Sequence, residues 1–136
     1  MELISGKNIM RFDGSSVSAD EALANKRIVA FYFSGQWCGP CQTFTPILKK
    51  FYDEVSESSG LEIIFSSCDE TAEDMRSYMD ESHGHWLAVE LRSGVNLIYF
   101  LRAAFFEQTC YALLLCTYSL CLYFILENGG WPKSCS

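Results

Sequence analysis

Residues 28–41 read Ile28-Val29-Ala30-Phe31-Tyr32-Phe33-Ser34-Gly35-Gln36-Trp37-Cys38-Gly39-Pro40-Cys41. The six apolar residues 28–33 have the length of a strand. They are apolar at both parities, which predicts a central strand covered on both faces. Ser34-Gly35-Gln36 breaks it. Beyond Trp37 the period becomes helical: Phe44, Ile47, Leu48, Phe51, Tyr52 and Val55 form one apolar stripe, predicting a helix to about Ser58. Gly39 permits a tight approach, and Pro40 fits the first turn, where its missing N–H is not needed. Pro46 inside the stripe predicts a kink. Gly60 is placed to cap the helix. A Cys-x-x-Cys pair thus stands at a strand-to-helix junction.

The flanking sequence continues the alternation. Leu61–Phe65 has strand character, and Thr71-Ala72-Glu73-Asp74 opens a helix over about 72–82 with Met75, Tyr78 and Met79 on its inner face. Upstream, Leu3-Ile4 and Asn8–Phe12 are strand candidates, and Asp13-Gly14 is a turn signal. Ser18 and Glu21 have capping-box spacing before a short helix of about 19–24. Strand–helix–strand–helix in this order predicts an α/β domain with parallel neighbours.

The junction has its own chemistry. A cysteine at a helix N-terminus meets unpaired N–H groups and the positive end of the macrodipole, which favour the thiolate. Cys38 is therefore the expected nucleophile on a substrate disulfide. Cys41, one turn on, is the expected resolving thiol. Trp37 has two readings, substrate contact or packing. A zinc ribbon needs a second close cysteine pair. Cys68 stands alone, and Cys110, Cys116 and Cys121 are six and five residues apart, so no metal is expected.

Composition narrows the class. The chain has 136 residues, 49% hydrophobic, with a net charge of −7. That excludes a disordered acidic chain and argues against nucleic acid, which requires clustered Lys and Arg. The cysteine count is seven, so at least one thiol is left over. Met1–Lys7 holds no apolar stretch, so no secretory leader and mostly reduced cysteines are expected. The average hides a split. Residues 1–90 carry seven basic and fifteen acidic residues, a net −8, whereas 91–136 carry three and two, a net +1.

Trp37-Cys38-Gly39-Pro40-Cys41 with Pro46 resembles thioredoxin. The longer pattern resembles the nucleoredoxin and tryparedoxin branch: Val17–Leu23 leading into Phe31–Cys38, then Ile63-Ile64-Phe65-Ser66-Ser67-Cys68-Asp69-Glu70 and Trp86-Leu87-Ala88-Val89. The resemblance covers about residues 1–89. It implies a thioredoxin-like fold, protein-disulfide reductase activity on disulfide-containing proteins, and a cytoplasmic or nuclear setting. It also implies a reductase of the thioredoxin-reductase type, or a small thiol, as electron donor, with no bound cofactor. Four departures stand out. Gly39-Pro40 replaces the branch's usual Pro-Pro. Tyr32 stands where thioredoxin has a buried acid. Cys68, just after a strand, is read either as a small rim residue or as an accessory thiol for the pair. After Val89 the pattern stops, and no proline lies between Pro46 and Pro132 to form the family's cis-proline loop.

The expected organisation is therefore a partial redox domain over 1–90 and a divergent hydrophobic tail over 91–136. The sheet is expected to be incomplete, with the far edge of strand 28–33 exposed unless Val95–Leu101 substitutes. Residues 108–126 are 19 positions without a charge. They are read as a membrane helix of a tail-anchored protein facing the cytosol, as a helix packed on the sheet, or as a segment never selected to fold. His83-Gly84-His85 is expected to be a solvated loop, and the acidic run Asp69, Glu70, Glu73, Asp74, Asp80-Glu81 a solvated helix face.

Overall fold

The computed structural model describes residues 4–91, 115–117 and 120–126. The strands are β1 (Asn8–Met10), β2 (Ser16–Ser18), β3 (Ile28–Ser34), β4 (Leu61–Ser67), β5 (Leu87–Val89), β6 (Leu115–Thr117) and β7 (Leu120–Leu126). The helices are α1 (Ala19–Leu23), α2 (Gly39–Ser59) and α3 (Ala72–Ser82). They build one mixed sheet in the order β2-β1-β5-β4-β3-β7-β6. This is the expected α/β fold, a central sheet flanked by helices.

β3, β4 and β5 run parallel, with Ala30 opposite Ile63 and Phe65 opposite Ala88. Two successive crossovers in one direction place α2 and α3 against one face of the sheet. Side chains alternate accordingly. Ala30 and Tyr32 meet Leu48 and Tyr52 of α2 and Met75, Tyr78 and Met79 of α3. Val29, Phe31 and Phe33 point the other way and meet Ile4, Ile9, Val17 and the α1 residues Ala19, Ala22 and Leu23. Phe31, Tyr32 and Phe65 are fully buried, each contributing about 2–3 kcal/mol of transfer free energy.

The C-terminus of α2 is tied to the start of β3, and its N-cap closes a turn just past the end of that strand. At the C-terminus Gly60 takes the left-handed conformation, φ 68°, where a side chain would be strained. Its carbonyl accepts from the backbone N–H groups of Arg27 and Ile28, and the Arg27 guanidinium donates to the carbonyls of Ser58 and Ser59. At the other end Cys38 N donates to Gly35 O at 3.1 Å. Pro46 lies inside the helix.

The structure departs from expectation at several points. β3 has no open edge, because β7 pairs with it antiparallel from Ile28↔Leu126 to Phe33↔Cys121. Residues 120–126 are thus a strand, and among the described residues no helix is long and apolar enough to cross a membrane. This overturns the membrane helix over 108–126, the tail anchor that rested on it, and the helix packed on the sheet. The reason is the edge itself: unpaired N–H and C=O groups along β3 template any apolar seven-residue run that can extend beside them. Residues 108–114 and the Val95–Leu101 candidate lie outside the described residues. Ser18 precedes α1 but makes no side-chain cap. The Asp20 carboxylate holds that corner instead, accepting from Ser5 Oγ and Gly6 N at 2.9 and 2.7 Å. Ile4 sits in a turn rather than a strand.

His83 is the clearest correction, being buried to 3% exposure rather than solvated. Its Nδ1 accepts from Trp86 Nε1 at 3.2 Å, and its ring lies 4.3–4.4 Å from those of Phe65 and Tyr78. Nε2 has no partner. With Nδ1 accepting, Nε2 carries the hydrogen and the imidazole is neutral. Asp69 is also buried, at 8% exposure, rather than on a solvated face.

Two expectations can be measured. With both edges paired, amides of residues 28–33 should exchange as slowly as those of 61–65; rapid exchange at alternate β3 positions would contradict the pairing with β7. Burial lowers the His83 pKa to about 3 from an unfolded value of 6.5. Between those values the unfolded chain binds the extra proton, so stability is full above pH 6.5 and falls as the pH drops towards 3. From pH 6.5 to 5, urea unfolding should show wild type losing about 1.5 kcal/mol more than His83→Gln. Equal losses would remove His83 as the cause.

Candidate redox site

The strand-to-helix junction follows from the backbone requirements of both elements. Cys38 is the N-cap residue of α2, extended at φ −90° and ψ 104°. Its Sγ accepts from Cys41 N at 3.3 Å, and Gln42 N donates to its carbonyl at 3.0 Å. Pro40 sits in the first turn and carries no N–H to orphan. No acidic residue occupies that turn, so no side chain of the turn itself offsets the positive end of the helix where the Cys38 sulfur lies. Cys38 and Cys41 are joined as a disulfide with Cα atoms 5.2 Å apart. Both cysteines are buried, Cys38 at 4% exposure and Cys41 at 1%.

The loop after β4 braces the loop after β3. Cys68 N donates to Ser34 O at 2.8 Å, continuing the ladder one step past the strands. Asp69 then turns its carboxylate inward: Oδ1 accepts from Gln36 N and Oδ2 from Ser67 Oγ, both at 2.7 Å. Trp37 projects outward, 69% exposed. Its indole Nε1 donates to Cys68 O at 3.1 Å. A Cβ on Gly35 would lie 2.5 Å from that nitrogen, so glycine is what lets the indole fold back here. Gln36, Trp37, Cys68, Asp69, Glu70 and Asp74 line an open cleft of about 620 Å³ between the two loops.

Trp37, Cys38, Gly39, Pro40 and Cys41 form the turn into α2 and its first turn. Cys68 is exposed in the same loop cluster and joined to Trp37 through its carbonyl. Among the described residues no three His, Cys, Asp or Glu side chains are grouped to hold a metal.

Beneath the pair lies a feature that the apolar stripe did not reveal. Thr45, with no exposure, donates from Oγ1 to Cys41 O at 2.8 Å. The same oxygen is 2.8 Å from Tyr32 Oη and 2.6 Å from Tyr78 Oη, and Ser34 Oγ is 2.7 Å from Tyr78 Oη. Burial pushes the Tyr32 phenol up to about 12, so it stays a neutral hydroxyl. The signal for Thr45 lay in spacing: the buried face of α2 is Cys41, Thr45, Leu48 and Tyr52, whereas Ile47 and Phe51 of the predicted stripe are exposed.

Comparison with known proteins agrees with this geometry. A family model described as "Thioredoxin-like" matches residues 25–101. Probable nucleoredoxin 1 of Arabidopsis thaliana is 44% identical over 81 residues, covering 60% of this chain and 13% of that protein. Tryparedoxin of Trypanosoma brucei brucei is 36% identical over 63 residues, covering 46% of this chain and 42% of that one. The chain thus spans less than half the length of these relatives. Among solved structures, thioredoxin from Wuchereria bancrofti superposes with a TM-score of 0.71 at 36% identity, covering 93% of this chain and 80% of that one. The chain belongs to the thioredoxin-like family, on its nucleoredoxin and tryparedoxin branch, and carries at Cys38 and Cys41 the Cys-x-x-Cys pair of that oxidoreductase family.

Proposed function

We propose that the chain acts as a protein-disulfide reductase, with Cys38 as nucleophile and Cys41 as resolving thiol. The observation that carries this reading is the Cys41 N–H aimed at Cys38 Sγ, 3.3 Å away, at a helix N-terminus free of acidic residues. Both features favour a thiolate on Cys38. The Cys38 thiolate attacks one sulfur of a substrate disulfide and expels the other as a thiolate. The Cys41 thiolate then attacks Cys38 Sγ in the mixed disulfide, closing the Cys38–Cys41 bond and releasing the second substrate thiol. The substrate gains two electrons and the pair loses two. A reductase of the thioredoxin-reductase type, or a small thiol, returns them. Residues 1–90 carry this chemistry, and 91–136 are the divergent part. A cytoplasmic or nuclear setting suits a pair that must be kept reduced.

One observation favours a second reading, a non-catalytic thioredoxin-like protein without a competent substrate groove. No proline lies between Pro46 and Pro132, so the proline loop that holds substrate backbone in the family cannot form there. Turbidimetric insulin reduction with dithiothreitol separates the two. Wild type should accelerate precipitation and Cys38→Ser should fall to the uncatalysed rate. Cys41→Ser should trap a mixed disulfide visible on a non-reducing gel. Equal rates for wild type and Cys38→Ser would establish the second reading.

A further inference from the structure

Resting on the reductase reading, we propose that Thr45 is a positioning residue for the redox pair, the collecting point of a buried hydroxyl network that locks the first turn of α2 through the Cys41 carbonyl. The argument is a count of hydrogens. Each hydroxyl has one hydrogen to give and two lone pairs to receive. Thr45 gives its hydrogen to Cys41 O, a carbonyl that can only accept. Its contacts with Tyr32 and Tyr78 must then be donations from the two phenols, which fill both lone pairs. Tyr78 has now spent its hydrogen, so its contact with Ser34 is a donation from Ser34. Every hydrogen in the network runs towards Cys41: Ser34 to Tyr78, Tyr78 and Tyr32 to Thr45, Thr45 to the Cys41 carbonyl.

The four members come from three elements. Tyr32 and Ser34 lie on β3, Thr45 on α2 and Tyr78 on α3. Ser34, Tyr32, Thr45 and Tyr78 are each at or below 2% exposure, so water does not compete for these bonds. An unmatched hydroxyl there is costly, which gives the arrangement a single direction rather than a choice of two. The first turn of α2 is thereby fixed to the sheet at Cys41 itself, one turn from the Sγ of Cys38. That same turn presents the Cys41 N–H to Cys38 Sγ. Loosening it weakens the hydrogen bond and the dipole at the Cys38 thiolate, raising its pKa and making the pair harder to reduce.

The test uses the full chain and reads Cys38 directly. Alkylation of reduced protein with iodoacetamide across a pH series, followed by peptide mass, reports the Cys38 midpoint; glutathione redox buffers report the potential of the pair. Thr45→Val, close in shape but without the hydroxyl, should raise the midpoint by roughly half to one pH unit and make the potential more negative. Thr45→Ser, which restores the hydroxyl, should return both to wild type. Tyr78→Phe should shift both in the same direction by less. A folded Thr45→Val with wild-type midpoint and potential overturns the proposal. So does a Thr45→Ser protein shifted as far as the valine variant, since the methyl group and not the hydroxyl would then matter. Should Thr45→Val fail to fold by circular dichroism, Tyr78→Phe decides: a shift supports the network and no shift overturns it. A wild type inactive on insulin but with these shifts intact removes the reductase reading and keeps the positioning role.

Discussion

The structure depends on the enclosure of β3. Its side chains are buried on both faces, and its backbone is hydrogen-bonded along both edges, to β4 on one side and β7 on the other. A strand so held cannot slide by one residue without turning Tyr32 and Ala30 to the wrong face. Its end at Ser34 is therefore a fixed point. Cys68 N and the Asp69 carboxylate hold the next two residues to the neighbouring loop, and the chain has room only to turn and begin α2. Cys38 stands at the helix N-terminus because the strand before it has nowhere else to end.

The same enclosure explains why polar residues are tolerated beneath the site. Tyr32, Ser34, Thr45 and Tyr78 bring hydroxyls into the interior, and each finds another hydroxyl or the Cys41 carbonyl. Glu62 follows the same rule on β4: Tyr52 Oη donates to its Oε1 at 3.0 Å and Lys26 Nζ lies 2.9 Å from its Oε2. Burial and the neighbouring carboxylate push the Tyr52 phenol up, so it remains the donor. His83 is the exception among the described residues, with an Nε2 that no acceptor meets. It is held by surrounding rings and by the Trp86 indole, a local sacrifice within a core that is otherwise satisfied.

How much of this was legible depends on the range of the signal. The apolar run 28–33, the helical stripe after Cys41, Gly60 and the Thr71 opening of α3 are local patterns, and each marks an element that the structure contains. The Thr71 side chain caps α3, accepting from Asp74 N at 3.1 Å. The capping-box spacing at Ser18 was equally local, yet Asp20 engages Ser5 and Gly6 from a distant part of the chain. The charge-free stretch 108–126 has the composition of a membrane helix, but composition does not know that β3 offers an unpaired edge. His83 and Asp69 looked solvated because their neighbours in sequence are polar. Their neighbours in space, Trp86 and Tyr78 for one, the Gln36 amide for the other, are not adjacent in sequence.

The sequence by itself determined the redox pair and its setting. Cysteines three apart, a proline between them, and the change from strand to helix period are local facts, and the preference of a helix N-terminus for a thiolate is local physics. Only the tertiary structure decided what encloses and supports that pair. Which strand closes the β3 edge, which way the Trp37 indole folds, and how three elements converge their hydroxyls on Cys41 all depend on groups brought together from far along the chain. Sequence spacing carries no distance for such contacts, because burial and the need to match every buried hydrogen bond are settled only when the sheet and its helices pack.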